Sequence, residues 1–279
     1  MVNREWERQQ PLERDRISIL LAVTLTGAAL SRFVELPSFS WSVRRILGSP
    51  LGFTIGSNWL LSLLMMGLVA TGTYSLMQMH PQDDHQERPL IFSLIVPTLG
   101  ALFASLLLLR AAAWPIWLGS LLLTGLIIGS LVHLTYQVYS LGHHSYATLR
   151  ALLNIIDYLL GFALFGFVLS AQERSLVTGP AILLLSGLLS LDLLSASGAK
   201  INRVLLFSGI TAFLMGESTW ILSYWPISPW AAATVLTLEL YVGAGISYQY
   251  LLDKLNRRML MEYAVLALLV FGLILIIKP

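Results

Sequence analysis

The chain has 279 residues, of which 56% are hydrophobic and 11% are charged, and its formal net charge is +2. Soluble domains carry about 25% charged residues, so this composition is typical of a protein whose solvent is lipid. The net charge is too small to argue for nucleic-acid binding, and the basic residues form no stripe or patch. The chain has no cysteine, which excludes disulfides, thiolate zinc sites and iron–sulfur clusters.

Continuous apolar runs of about 20 residues follow one another along the chain, and this is the length that a helix needs to cross a bilayer. The runs do not alternate polar and apolar residues, as the strands of a membrane barrel would. We therefore predict an all-α, polytopic integral membrane helix bundle with about nine transmembrane helices, or eight if the first run does not cross. The predicted spans are 17–36, 57–77, 90–109, 116–136, 151–170, 181–198, 204–225, 230–250 and 259–277.

The sequence before the first span is polar, and we predict a cytoplasmic N-terminal tail (1–16) followed by a single membrane domain (17–279). We expect Arg32 and Glu35, in the last turn of the first span, to pair near the interface. A cleaved signal peptide is the alternative, but the tail has no net positive charge and no A-x-A-like site follows. The next segment, 39–45, is expected to lie in the membrane interface.

The positions of the basic residues predict the orientation. With nine spans, 11 of the 17 lysines and arginines lie on the N-terminal side of the membrane and 6 on the other. The positive-inside rule then places the N-terminus in the cytoplasm and the C-terminus outside. We expect a bacterial cytoplasmic membrane, with the lipid bilayer as the partner of the chain and no nucleic acid.

Four acidic residues lie inside predicted spans five to eight. An ionised acid at the bilayer centre costs roughly 2.5–3.5 kcal/mol on insertion scales, so we expect these side chains to face the bundle interior or a wet cavity. The four spans have no lysine or arginine away from their ends, so we expect no cationic partner and a proton on at least some of the acids. The acids are Asp157, Asp192, Glu217 and Glu239.

Helical spacing adds two neighbours to these acids, because Asn154 shares a face with Asp157 and Trp220 shares a face with Glu217. The four acids and these two neighbours are our candidate substrate- or proton-binding residues. For each acid, the alternative is a neutral group that holds helices together by hydrogen bonds. Close helix packing is also predicted at three pairs of small residues, namely Gly125 with Gly129, Ala212 with Gly216, and Gly243 with Ser247.

All five histidines fall on the predicted cytoplasmic side, and imidazole with carboxylate can bind zinc or another divalent metal. The weak candidates for such ligands are His80, Asp84, His85 and His143. Their spacing matches no specific metal motif, so a solvated polar loop is the favoured interpretation and no metal or other cofactor is predicted. The sequence also has no phosphate-binding loop, which excludes an ATPase.

The intramembrane acids favour a small proton- or cation-coupled secondary transporter, with a small solute or a proton as its ligand. The alternative is a non-catalytic membrane scaffold or complex subunit in which the acids are packing groups. A lipid-modifying enzyme with a His/Asp site at the cytoplasmic face is less favoured, so an enzyme is not the expected class. The sequence predicts no particular substrate.

Overall fold

The structure is a computed structural model, and nine α-helices dominate the residues that it describes. It describes the backbone of residues 3–30, 32–33, 39–46, 49–55, 57–78, 89–140, 143–171 and 175–276, and side chains over a narrower part of these ranges. A 3₁₀ helix, Leu90–Leu94, leads into α3, and a β-hairpin lies between α1 and α2. The elements are α1 (Asn3–Leu30), β1 (Phe39–Ile46), β2 (Ser49–Ile55), α2 (Ser57–Gln78), α3 (Ile95–Arg110), α4 (Trp114–Ser140), α5 (His143–Ser170), α6 (Ser175–Ser195), α7 (Ile201–Ser223), α8 (Pro229–Leu251) and α9 (Arg257–Ile276).

Seven helices among the described residues, α2 to α8, are long and apolar enough to cross a membrane by length and composition. The prediction of an all-α membrane helix bundle is thereby confirmed, and each predicted span overlaps one α-helix, with span 90–109 also covering the 3₁₀ helix. The first helix differs from its predicted span, because it begins at Asn3 within the polar segment and ends at Leu30. The division into a tail and one membrane domain stays a prediction.

The segment expected to lie in the interface forms the first strand of the hairpin. Strands β1 and β2 are antiparallel, with Phe39 opposite Ile55 and Val43 opposite Leu51. Apolar residues alternate with serine from Phe39 to Val43, which is the period of two that favours a strand. The position of this hairpin relative to a membrane stays a prediction.

One compact unit of the chain consists of residues 1–81 and 96–140. Within it, α1 packs on α2 and α4, and α2 also contacts α4. Its core is apolar and includes Met65, Val69 and Ile128, which are all fully buried. Dispersion contacts between closely packed side chains hold such a bundle together in lipid, where hydrophobic attraction between helices is absent.

Arg32 has a different partner from the predicted one. Its Nη2 donates a hydrogen bond to the main-chain oxygen of Ala112 over 3.0 Å. Its guanidinium carbon also lies 5.8 Å from the centroid of the Trp114 ring, a cation–π arrangement. Glu35 lies outside the described residues, so its predicted pairing with Arg32 is untested.

The second compact unit consists of residues 82–95 and 141–279. Helix α6 packs along α7, α5 packs on α8 and α6, and α8 contacts α7 and α9. At one end of this unit, Leu194, Val204 and Leu251 form a buried apolar cluster. All four candidate acids belong to this unit, which brings α5 and α6 side by side.

The glycines of the predicted small-residue pairs lie at close helix contacts. A Cβ added to Gly216 on α7 would lie only 3.3 Å from the Leu183 side chain on α6. Small residues permit this approach, as expected for helices that associate in lipid. The other contacts are Gly125 with Leu25, Gly129 with Leu21, Ala212 with Gly187, and Gly243 with Thr211.

Local sequence signals mark the end of α6 and the start of α8, two of the helices that carry the acids. Gly198 follows α6 with a φ of 68°, a left-handed conformation that glycine adopts without steric cost and that commonly terminates helices. Ser228 caps α8, because its hydroxyl accepts a hydrogen bond from the Ala231 main-chain N–H, and Pro229 occupies the first helical position.

Candidate functional site

Arg150 on α5 and Asp192 on α6 form a buried ion pair. Arg150 Nη2 lies 2.8 Å from Asp192 Oδ2, and the two side chains are 7% and 3% exposed. The same Nη2 donates to the main-chain oxygen of Asp192, which also accepts a hydrogen bond from Ser195 Oγ. The guanidinium therefore joins α5 to both the side chain and the backbone of the last turns of α6.

The expectation that the acids lack a cationic partner is wrong for Asp192. The predicted span began at residue 151, which left Arg150 in the preceding loop. Helix α5 begins at His143 instead, so Arg150 lies about two turns inside it. The missed signal is the spacing of Arg150, Asn154 and Asp157 at i, i+4 and i+7, which places all three on one helix face.

Asp157 lies on this same face of α5 and is fully buried. Neither of its carboxyl oxygens has a hydrogen-bond partner among the described residues, and the same is true of the buried Oδ1 of Asn154. The Asp157 carboxyl interacts electrostatically with both Asp192 and Arg150, and it is close enough to the Asp192 carboxyl to hydrogen-bond to it if a proton lies between them. Arg150, Asn154, Asp157 and Asp192 are referred to below as the α5–α6 acid cluster.

The α5–α6 acid cluster combines two carboxyl groups with a single guanidinium. If both carboxyls were ionised, the cluster would carry a net charge of −1 in a site closed to solvent. An ionised group without compensation is very costly to bury, so such groups are paired, bound to an ion or neutralised by a proton. The composition of the cluster therefore matches a site for one proton or one cation.

Two threonine hydroxyls in the same unit donate their hydrogen bonds within their own helices. Thr219 Oγ1 donates to the Met215 carbonyl and Thr237 Oγ1 to the Ala233 carbonyl, each over 2.7 Å. An ionised carboxylate only accepts hydrogen bonds and cannot donate to such a carbonyl. Asp157 can therefore not be satisfied in this way while it is ionised.

Glu239 on α8 has a partner of a different kind. Its Oε1 accepts a hydrogen bond of 2.8 Å from Ser218 Oγ on α7, and its side chain is half-buried. The charged groups that act on Asp157 are Asp192 and Arg150, and Glu239 is not one of them. Glu239 thus behaves as an interhelical hydrogen-bonding group, as the alternative interpretation of the acids expects.

Glu217 does not face the interior of its unit, contrary to expectation. It is exposed on α7, in line with Phe213, Trp220 and Tyr224, which are 58%, 51% and 88% exposed. The indole of Trp220 lies against Gly179, where an added Cβ would be 2.5 Å from its Nε1. The structure therefore brings together Asp157, Asp192 and Asn154, while Glu217 and Trp220 lie on an outward face.

Most of the candidate metal ligands lie outside the residues that the structure describes. His80, Asp84 and His85 are outside the described residues, as is the side chain of His143. His133 is exposed, and its Nε2 lies 2.9 Å from Gln137 Nε2. Within the part of the chain that is described, no three His, Asp or Glu side chains are grouped so that they could hold a metal ion.

Residues 38–277 match the family described as "Protein of unknown function (DUF5656)", and the chain belongs to this family. The match includes all four residues of the α5–α6 acid cluster. Comparison with curated proteins found no match, and comparison with solved structures found none.

Proposed function

We propose that this member of the DUF5656 family is a small secondary carrier coupled to protons or to a cation, and that its α5–α6 acid cluster binds the coupling ion. The observation that supports this proposal is the Asp157 carboxyl, fully buried and without a hydrogen-bond partner among the described residues, beside the Arg150–Asp192 pair. Ionisable residues inside membrane segments are rare and commonly mark ion pathways and proton relays.

A packing role explains Asp157 less well than it explains Glu239. Glu239 forms an interhelical hydrogen bond to Ser218, whereas Asp157 forms none that the described residues supply. A buried polar group left unsatisfied costs about 1–3 kcal/mol, so it weakens the fold rather than stabilising it. Asp157 carries this free-energy cost and forms no interhelical hydrogen bond among the described residues, so a ligand that binds it explains it best.

The arrangement suggests how binding of an ion would be linked to helix movement. Asp157 and Asp192 compete for the one guanidinium of Arg150, and an ion bound at Asp157 leaves Arg150 to Asp192. When the ion leaves, the ionised Asp157 carboxylate also attracts Arg150. The bond from Arg150 to Asp192 on α6 then becomes weaker. Occupancy at Asp157 thereby changes the strength of the bond between α5 and α6.

Flux in reconstituted proteoliposomes tests the proposal. An enclosed pH-sensitive dye reports proton movement, and radioactive sodium or rubidium reports cation movement, under an imposed gradient. We expect flux above that of empty liposomes with at least one of these probes. Asp157→Asn is expected to slow it at least tenfold, a rise of about 1.4 kcal/mol in the barrier, because the amide cannot gain or lose a charge.

Glu217→Gln is the matched control, since it makes the same acid-to-amide change on an exposed face outside the cluster. We expect its flux to equal that of the unmodified protein. Flux no faster than that of empty liposomes with every probe would contradict a carrier, and unaltered flux in Asp157→Asn would contradict the role of the cluster.

The outward face of α7 favours a second candidate function, a non-catalytic subunit of a membrane complex. Glu217 is exposed there beside large apolar side chains and has no partner among the described residues. A charged group on such a face is expected to meet a polar group of another protein, because an acid facing lipid is costly. The flux measurement separates the two functions, since a subunit without transport activity leaves liposomes tight.

We further propose that the protein lies in a bacterial cytoplasmic membrane with its N-terminus inside, as the placement of basic residues favours. The absence of cysteine allows single cysteines to be labelled without background. In intact cells, a membrane-impermeant maleimide should label Tyr224→Cys, whereas Lys254→Cys should be labelled only after permeabilisation. Both parent side chains are exposed, so accessibility is set by the side of the membrane. The reverse pattern would invert the proposed orientation.

A further inference from the structure

We infer that the ion held by the α5–α6 acid cluster is a proton on Asp157, that Asn154 Oδ1 accepts the hydrogen bond of the protonated carboxyl, and that Asp192 remains ionised. The inference rests on the proposed role of the cluster as an ion-binding site, and it names the ion, the atom that carries it and the residue that positions it.

The contacts of Arg150 distinguish the two carboxyls. An arginine side chain is always charged in proteins, and its hydrogen bond to Asp192 Oδ2 is 2.8 Å long, within the range of charge-assisted bonds. Arg150 also donates a hydrogen bond to the main-chain oxygen of Asp192, so two contacts hold the pair together. Asp192 is thereby the ionised partner, and Asp157 is left to carry the proton.

A proton on Asp157 makes Asn154 Oδ1 and the Asp157 carboxyl complementary as acceptor and donor. They are three residues apart on α5, a spacing that makes side chains neighbours on one helix face, and Asp157 is fully buried while Asn154 is half-buried. The unsatisfied buried atoms of the α5–α6 acid cluster are one donor, Arg150 Nε, and, when Asp157 is ionised, three acceptors, namely Asn154 Oδ1 and both Asp157 oxygens. A proton on Asp157 converts one oxygen into a donor, which satisfies the carboxyl and the amide oxygen together.

A metal cation fits the same atoms less well. Hard cations such as calcium and magnesium take about six or more oxygen ligands, whereas Asn154 and Asp157 offer three unsatisfied oxygens in the described structure. The guanidinium of Arg150 interacts electrostatically with Asp157 and would repel a second positive charge beside it. A proton needs only one lone pair and forms a covalent O–H bond.

The charged groups that act on Asp157 are Asp192 on α6 and Arg150 on α5. Glu239, on α8, is bonded to Ser218, and the acid of α7 faces outward. Among the residues that the structure describes, the other titratable groups near the cluster are tyrosines. They are Tyr146 and Tyr158 on α5, Tyr241 on α8 against Tyr158, and Tyr263 on α9 against Tyr241.

Infrared difference spectroscopy of the protein in lipid at neutral pH tests the inference, because a protonated carboxylic acid has a carbonyl-stretching band that a carboxylate lacks. The spectrum of the unmodified protein minus that of Asp157→Asn should contain this band, and the band should shift in deuterated water. Saturating sodium chloride should leave it unchanged. Asn154→Leu should keep the band but move its frequency, since the acceptor of the O–H is lost.

Two measurements keep the result independent of any single variant. Aspartate labelled with heavy carbon at its carboxyl shifts the band in the unmodified protein, so the assignment to aspartate does not require Asp157→Asn to fold. Glu239→Gln is the matched control. In a protein that carries Glu239→Gln, the infrared difference caused by adding Asp157→Asn should be the same as in the unmodified protein. Circular dichroism and size-exclusion chromatography report whether each variant is folded.

Three outcomes would overturn the inference. Absence of an aspartic-acid band would mean that Asp157 is ionised and held by other donors. Loss of the band on adding sodium would mean that a metal cation displaces the proton. Loss of the band in Asp192→Asn but not in Asp157→Asn would place the proton on the other carboxyl. Failure of the carrier proposal is a separate result, since absent flux with the band present leaves the proton assignment intact.

Discussion

Arg150→Met is expected to destabilise the protein by about 3–5 kcal/mol, because it leaves the Asp192 carboxylate buried without its partner. The free energy of unfolding can be measured by equilibrium unfolding in mixed detergent micelles. The double variant Arg150→Met/Asp192→Leu should recover most of this loss, since it removes both charges and fills the space with apolar atoms.

Arg258→Met is the matched control for this prediction. Arg258 pairs with Glu262 over 3.3 Å on α9, but these side chains are 85% and 66% exposed. Breaking an exposed i,i+4 pair costs only about 0.3–0.5 kcal/mol. If Arg150→Met proved as mild as Arg258→Met, the Arg150–Asp192 pair would not be the buried link between α5 and α6 described above.

Replacing both Asn154 and Asp157 by leucine is expected to have the opposite effect on stability while abolishing flux. The double variant removes three buried acceptor atoms that have no partners among the described residues. Replacing both partners of a buried hydrogen bond by apolar groups can be stabilising, because no buried polar group is then left without a partner, and we expect the free energy of unfolding to rise by up to about 1–3 kcal/mol. Natural proteins commonly carry such costs at functional sites, where stability is given up for activity.

The single variant Asp157→Leu is the control for this gain. It leaves Asn154 Oδ1 buried with no donor, so it should stabilise the protein less than the double variant does. A loss of stability in the double variant comparable to that of Arg150→Met would mean that Asn154 and Asp157 hold the fold together. That result would favour the scaffold function, in which the acids are packing groups.

The helices were predictable from the sequence because lipid demands long, uninterrupted apolar runs with internally bonded backbones. The predicted span 57–77 corresponds to Ser57–Gln78, and 230–250 corresponds to Pro229–Leu251. Boundaries were less accurate where a helix continues into polar sequence. At α5 this error mattered, because it excluded Arg150 from the helix and with it the partner of Asp192.

The face that each span turns inward was not predictable in the same way. In water, an apolar stripe marks the buried side of a helix, but in lipid both sides of a span are apolar. The positions of the acids were therefore the main guide, and they suggested that Glu217 and Asp157 face inward alike. The structure separates them, since Asp157 is fully buried and Glu217 is exposed.

Composition and the lengths of the apolar runs determined by themselves that this chain is a helical membrane protein with acids in its C-terminal half. Only the tertiary structure decided which acids meet, because Arg150 and Asp192 are 42 residues apart and belong to different helices. Their contact depends on how α5 and α6 rotate and slide against each other. That arrangement follows from the packing of all the helices in the unit, which no local pattern in the sequence encodes.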